Sequence, residues 1–238
     1  MPRDASENAV YLSAPVNALV EGLYEENTSL AEIRRHGDFG LGTFNDLDGE
    51  MLLLDGVFYQ TRSDGLVYPV SDSVLSPFAC VTNFVPLTYD DIEGDYDFEA
   101  FNRLISSLIP SQNMLYAIRI DGLFPHVRTR SVPKQENYRP LAEVASEQPT
   151  FDFDDVAGTL AGFYTPRFMA SLNVPGFHLH FLSQDLRHGG HLLNCRMRKG
   201  RIALQIIRKL ELALPVTFDY LTAELERDTR SDLEKAER

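Results

Sequence analysis

The chain has little cysteine and no tryptophan: Cys80 and Cys195 are the only two thiols in 238 residues. Two distant cysteines give no disulfide framework and fit a reducing compartment. Positive charge is also scarce. Lys and Arg number 22 against 35 Asp and Glu, a formal net charge of −13, whereas nucleic acid and anionic membranes require clustered basic residues. No apolar run reaches transmembrane length, and the opening MPRDASENAV holds no apolar stretch of signal-peptide size. These absences lead us to expect a cytoplasmic protein with neither nucleic-acid nor membrane partners. What is present is globular, 44% hydrophobic and 24% charged, at a length that buries a sizeable core.

Residues 1–13 read as a loose leader. Val16 to Tyr24 has helical spacing, and Ser29-Leu30-Ala31-Glu32 is a capping box opening a short helix that stops at Gly37. From Gly40 to Val70, the turn signals Asp48-Gly49, Asp55-Gly56 and Asp64-Gly65 separate apolar runs and predict a β-meander. Ser76 to Phe84 reads as another strand, and the acidic stretch Tyr89 to Asp97 as a solvated linker ending in a helix cap. Phe98, Phe101, Leu104, Ile105 and Leu108 mark an amphipathic helix ended by Pro110. Met114 to Ile120, an Asp121-Gly122 turn and Val127 to Val132 read as a hairpin. Pro133 to Pro149 is irregular with a short helix from Leu141, 151–163 and 202–207 are strands, and the tail from Leu214 is helical and charged. The pattern predicts an α/β protein of the α+β kind, with mixed and largely antiparallel sheets. We expect two β-sheet-based subdomains with flanking helices, an N-terminal one over 14–135 and a C-terminal one over 136–238.

Four of the six histidines fall between His178 and His191, and three of them share a spacing that suits one hairpin face. In Phe177-His178-Leu179-His180-Phe181, strand alternation puts both histidines on one face and the apolar residues on the other. The polar stretch to Gly189-Gly190 suits a loop that returns the chain, and a hairpin centred near Asp185–Leu186 sets His180 opposite His191. Three neutral imidazoles with an open fourth position describe a catalytic zinc site on the hairpin. Taken singly, each would more often be a core or surface histidine with an ordinary hydrogen bond. His188 in the loop reads as solvated, and Cys195, on the same strand face as His191, as a small buried residue.

Isolated charges inside apolar strands are the other candidates. Glu50 follows the Asp48-Gly49 turn and heads Met51 to Leu54; the bland alternative is an edge carboxylate in water. Arg128 and Arg130 share one strand face and could clamp a substrate carboxylate, or simply face solvent. Thr43 could donate its hydroxyl to a ligand or merely suit a strand.

Around these residues the chain resembles the α-acetolactate decarboxylases. The resemblance rests on Arg35 to Glu50, Phe58 to Gly65, Tyr116 to Gly122, Arg130 to Gln135, Val174 to Phe181 and Gly189-Gly190-His191, in that order along the chain. It implies a zinc-dependent carboxy-lyase that converts 2-acetolactate to (R)-acetoin and carbon dioxide, in a fold of two α/β domains with the metal site in a cleft. It also implies His178, His180 and His191 as zinc ligands, Glu50 as the catalytic carboxylate and Arg130 as the active-site arginine. A tail glutamate, aligned here to Glu237 with Glu234 as the alternative, would complete the catalytic set, with Thr43 and Arg130 binding substrate. A β-keto acid carries its own electron sink, so neither thiamine nor pyridoxal is needed; the one cofactor expected is Zn2+, and the assembly a homodimer. A zinc-hydroxide lyase or hydrolase of another small substrate, and a non-catalytic metal or ligand-binding module, remain the rival readings. A cupin-type iron site fits less well, because Ser183, Gln184 and Asp185 supply no glutamate where that motif needs one.

Overall fold

The computed structural model describes residues 8–136 and 138–236. In chain order the strands are β1 (Ala9–Leu12), β2 (Thr28–Ser29), β3 (Phe39–Thr43), β4 (Glu50–Leu54), β5 (Val57–Thr61), β6 (Val67–Pro69), β7 (Leu75–Ser76) and β8 (Ala79–Thr82). They continue as β9 (Thr88–Tyr96), β10 (Leu115–Arg130), β11 (Thr150–Thr165), β12 (Gly176–Ser183), β13 (Gly189–Ile207) and β14 (Lys209–Leu212). The helices are short: α1 (Val16–Val20), α2 (Leu30–His36), α3 (Phe98–Leu108), α4 (Leu141–Ala145), α5 (Phe218–Thr222) and α6 (Arg230–Ala236).

The α+β architecture is as expected. Turn chemistry builds the meander: Asp55 and Gly56 both take positive φ, 52° and 78°, so β4 and β5 join through a tight reversal with Leu54 opposite Val57. Strands β3 to β6 are neighbours in a seven-stranded sheet ordered β14-β1-β8-β3-β4-β5-β6. The N-cap half of the capping box holds, with the Glu32 amide donating to Ser29 Oγ at 3.3 Å, while Arg35 donates to the Glu32 carboxylate.

The second sheet runs β10-β11-β12-β13-β9, and β10 also pairs with β13, so four of its strands close into a ring. The two sheets share one apolar core: Leu41, Leu52 and Leu54 pack with Ala117, Ala161, Phe163 and Leu182. The face of this sheet opposite the shared core packs Phe124, Phe181 and Met197 with Phe101 and Ile105 of α3. Among the described residues, no helix is long and apolar enough to cross a membrane.

The strand pairing departs from four sequence expectations. Residues 9–12, assigned to a loose leader, form a strand inside the seven-stranded sheet, where Val10 and Leu12 are buried. A boundary at 135/136 cuts the second sheet, because β9 and β10 pair with β13 and β11 from beyond it, and β14 returns to pair with β1. Tyr89 to Asp97 is largely an edge strand, not a linker. Its charges pair across to β13, Asp91 with Arg201 at 2.7 Å, Asp95 with Arg196 at 2.6 Å and Glu93 with Lys199 at 3.7 Å, which also blunts the edge against pairing with other chains. Asp121-Gly122 is no turn, since β10 runs straight through it. Gly122 lies beside Gly158 and Gly200 in register, and a Cβ there would meet the Lys199 carbonyl at 2.7 Å; glycine serves close approach of strands here, not reversal.

Candidate active site

The hairpin β12–β13 pairs His180 directly with His191, and His178 lies two residues back on the same face. A nitrogen from each of the three imidazoles lies within 4.8 Å of the others. His178 Nε2 and His180 Nε2 are 3.2 Å apart. Two nitrogens held about 2.0–2.1 Å from a tetrahedral ion would be roughly 3.3 Å apart, so the His178–His180 pair already stands at a metal-binding separation and the three donors together could hold an ion. His180 Nδ1 donates to the Met51 carbonyl at 2.8 Å, which leaves Nε2 as the bare lone pair. Burial, aided by the nearby Arg130 charge, pushes His178 down to about 3; burial, with His178 and Arg130 adding to it, holds His180 well below its ordinary value. Both imidazoles are therefore neutral at neutral pH, as ligation requires.

Strand β4 of the other sheet faces this cluster. Gly49 takes φ of 88° and packs on the Thr61 carbonyl, which a Cβ would meet at 2.2 Å, so the turn delivers Glu50 inward. Glu50 is only 7% exposed, which rules out the edge carboxylate in water. Its Oε2 lies 3.5 Å from His180 Nε2 and its Oε1 4.0 Å from Arg130 Nη1. Arg130, the last residue of β10, sits opposite His191 and is equally buried. Arg128 is exposed and lies 3.9 Å from Asp152, away from the cluster.

Glu50, Arg130, His178 and His191 line a cavity of about 50 Å³ with apolar walls that include Leu47, Val132 and Val174. Thr43 lines it too, but its hydroxyl donates to the Gly49 carbonyl at 2.8 Å and so turns a lone pair, not a proton, to a ligand. Glu237 lies outside the described residues. The preceding Ala236 lines the cavity, whereas Glu234 lies on a separate groove with Arg167 and Phe177.

Cys195 does not share a face with His191. The register slips between Arg128 and Thr129, which pair with Asn194 and Leu192, so Leu193 is an extra residue that turns Cys195 into the α3-side core. His188 packs against Phe153 in a tilted ring pair, with ring centres 4.9 Å apart, instead of being fully solvated. Sequence reasoning missed Gln148, which accepts a hydrogen bond from Arg130 Nη1 at the cavity. Its partner lies 18 residues away through the fold, and no periodicity marks it. It also missed Leu47, brought to the cavity by a backbone with φ of 52°.

Fold and site together define a class: an α+β protein whose buried three-histidine donor set is fit for a metal, with a carboxylate and a guanidinium beside it. Comparison with known proteins narrows this. The profile of the alpha-acetolactate decarboxylase family matches residues 10–227. The alpha-acetolactate decarboxylase of Methanosarcina mazei is 41% identical over 99% of this chain and 83% of its own length; that of Bacillus subtilis strain 168 is 40% identical over 99% and 93%. The crystal structure of the Bacillus subtilis strain 168 protein superposes with a TM-score of 0.93 at 39% identity, covering 96% of this chain and 99% of that one. A Staphylococcus aureus protein of unknown function similar to alpha-acetolactate decarboxylase superposes at 0.90 with 26% identity, over 96% and 98%. The chain belongs to the alpha-acetolactate decarboxylase family.

Proposed function

We propose that this protein decarboxylates 2-acetolactate to (R)-acetoin, with Zn2+ held by His178, His180 and His191. The observation that carries the reading is the buried Glu50–Arg130 pair facing a metal-competent histidine set across one small cavity. When bound, the ion supplies Lewis-acid polarisation of the keto and hydroxyl oxygens. The chain's own residues do the rest. Arg130 donates to the substrate carboxylate and orients the bond to be broken. As that bond breaks, its electron pair passes to the neighbouring carbonyl and carbon dioxide leaves. Glu50 then delivers a proton to one face of the resulting enediolate carbon, and regains one from solvent. Delivery from a single wall fixes the hand of the product. The apolar walls exclude water that would compete for the proton. The tail glutamate, Glu237, is assigned as the further carboxylate of the catalytic set on the family resemblance.

The test is incubation of purified protein with racemic acetolactate, followed by chiral analysis of acetoin. One enantiomer of acetoin supports the reading. Ester or bicarbonate turnover without acetoin would instead identify a zinc-hydroxide enzyme.

A further inference from the structure

Gln148 lies in the loop before β11 with one end of its amide committed. Arg130 Nη1 donates to Gln148 Oε1. A guanidinium offers only donors, so the amide oxygen must face it and the NH2 group must point the other way. That Nε2 is shut off from solvent and has no acceptor among the described residues, although Gln148 lines the same cavity as Glu50 and Arg130. A buried donor left unmatched is costly and calls for a reason. The cavity, about 50 Å³, has room for roughly four waters. Because Gln148 lines this cavity, a turn of its side chain about the Oε1–Arg130 contact would carry Nε2 to a ligand bound there.

Resting on the function proposed above, we propose that Gln148 is a substrate-binding residue. Its Nε2 donates to a carboxylate oxygen of the bound keto acid, beside the Arg130 guanidinium, while its Oε1 sets the plane of that guanidinium. The arrangement is a two-residue donor clamp for a small carboxylate.

The test measures binding of 2,3-dihydroxy-2-methylbutanoate, a saturated analogue that cannot lose carbon dioxide, to zinc-loaded parent, Q148E and Q148M by calorimetry. Glu accepts from Arg130 as Gln does but offers no N–H, so parental affinity in Q148E would exclude donation to substrate, while Q148M removes the N–H without adding a charge that repels the ligand. We expect both variants to keep parental zinc content and bind the analogue roughly ten- to a hundredfold more weakly. KM for acetolactate should rise by a similar factor, with a smaller change in kcat. Parental affinity in Q148E would mean that Gln148 only holds Arg130, and would overturn the proposal. Should Q148E not fold, parental affinity in the nearly isosteric Q148M would overturn it equally. A parent that binds the analogue but forms no acetoin would sink the decarboxylase reading and leave the clamp standing.

Discussion

Glu50 carries the sharpest consequence at the scale of single residues. It is buried 3.5 Å from His180 Nε2, yet it is not one of the three clustered imidazoles. Glu50→Gln keeps the shape and removes the transferable proton, so zinc content should stay at the parental level. Turnover should fall roughly 10²- to 10⁴-fold, the usual worth of a positioned acid. Unchanged turnover would remove Glu50 from the chemistry. The histidines make a second prediction. His178 and His180 have folded-state values below their unfolded ones, so the unfolded chain binds more protons between the two. Stability then rises with pH across that window. Chelated protein should hold its full Tm above about pH 6.5 and lose it progressively as the pH falls toward 3, the value to which His178 is depressed. His178→Ala should flatten that slope; an equally steep profile in the variant would contradict the assignment.

Among single residues, the three histidines were readable because alternation on a strand is a strict rule. Arg130 could be separated from Arg128 only by the structure, because both alternate correctly and differ in what the neighbouring strand and loop cover.

At the scale of elements, β11 holds the histidine hairpin in place. Gly162 lies opposite Leu179, and a Cβ there would meet the His178 carbonyl at 2.1 Å and Leu41 Cδ2 at 2.9 Å. The first is backbone and cannot yield without moving β12. Gly162→Ala should therefore lower both Tm and zinc occupancy, though it touches no ligand side chain; calorimetry and metal analysis of the purified variant would show it. Normal zinc content would mean that the hairpin is held from elsewhere. Elements with local signatures were legible, such as the N-cap at Ser29 and the Asp55-Gly56 hairpin. Two elements misled for physical reasons. The charges of β9 look solvated because they are, yet they pair with basic residues on β13. The bulge at Leu193 leaves no mark in composition, and it reverses the face on which Cys195 lies.

For the whole molecule, the site forms where two sheets meet, with the three clustered histidines on β12 and β13 and Glu50 on β4. Continuous division of the chain at 135 missed this, because β9, β10 and β14 cross over to sheets that local patterns cannot reveal. A net charge of −13 repels an anionic substrate at long range. Salt screens such repulsion over about 10 Å at 0.1 M, so kcat/KM for acetolactate should rise by up to a few-fold between low and physiological ionic strength. A fall would show that local positive charge at the cavity dominates the approach.

The central claim is that the three histidines hold a metal on which acetolactate decarboxylation depends. Acetoin formation should be followed in purified protein as isolated, after chelation, and after zinc is restored. The account predicts activity that disappears with the chelator and returns with zinc, and that stays absent in His180→Ala under the same treatment. Acetoin formation that survives complete removal of the metal would contradict it.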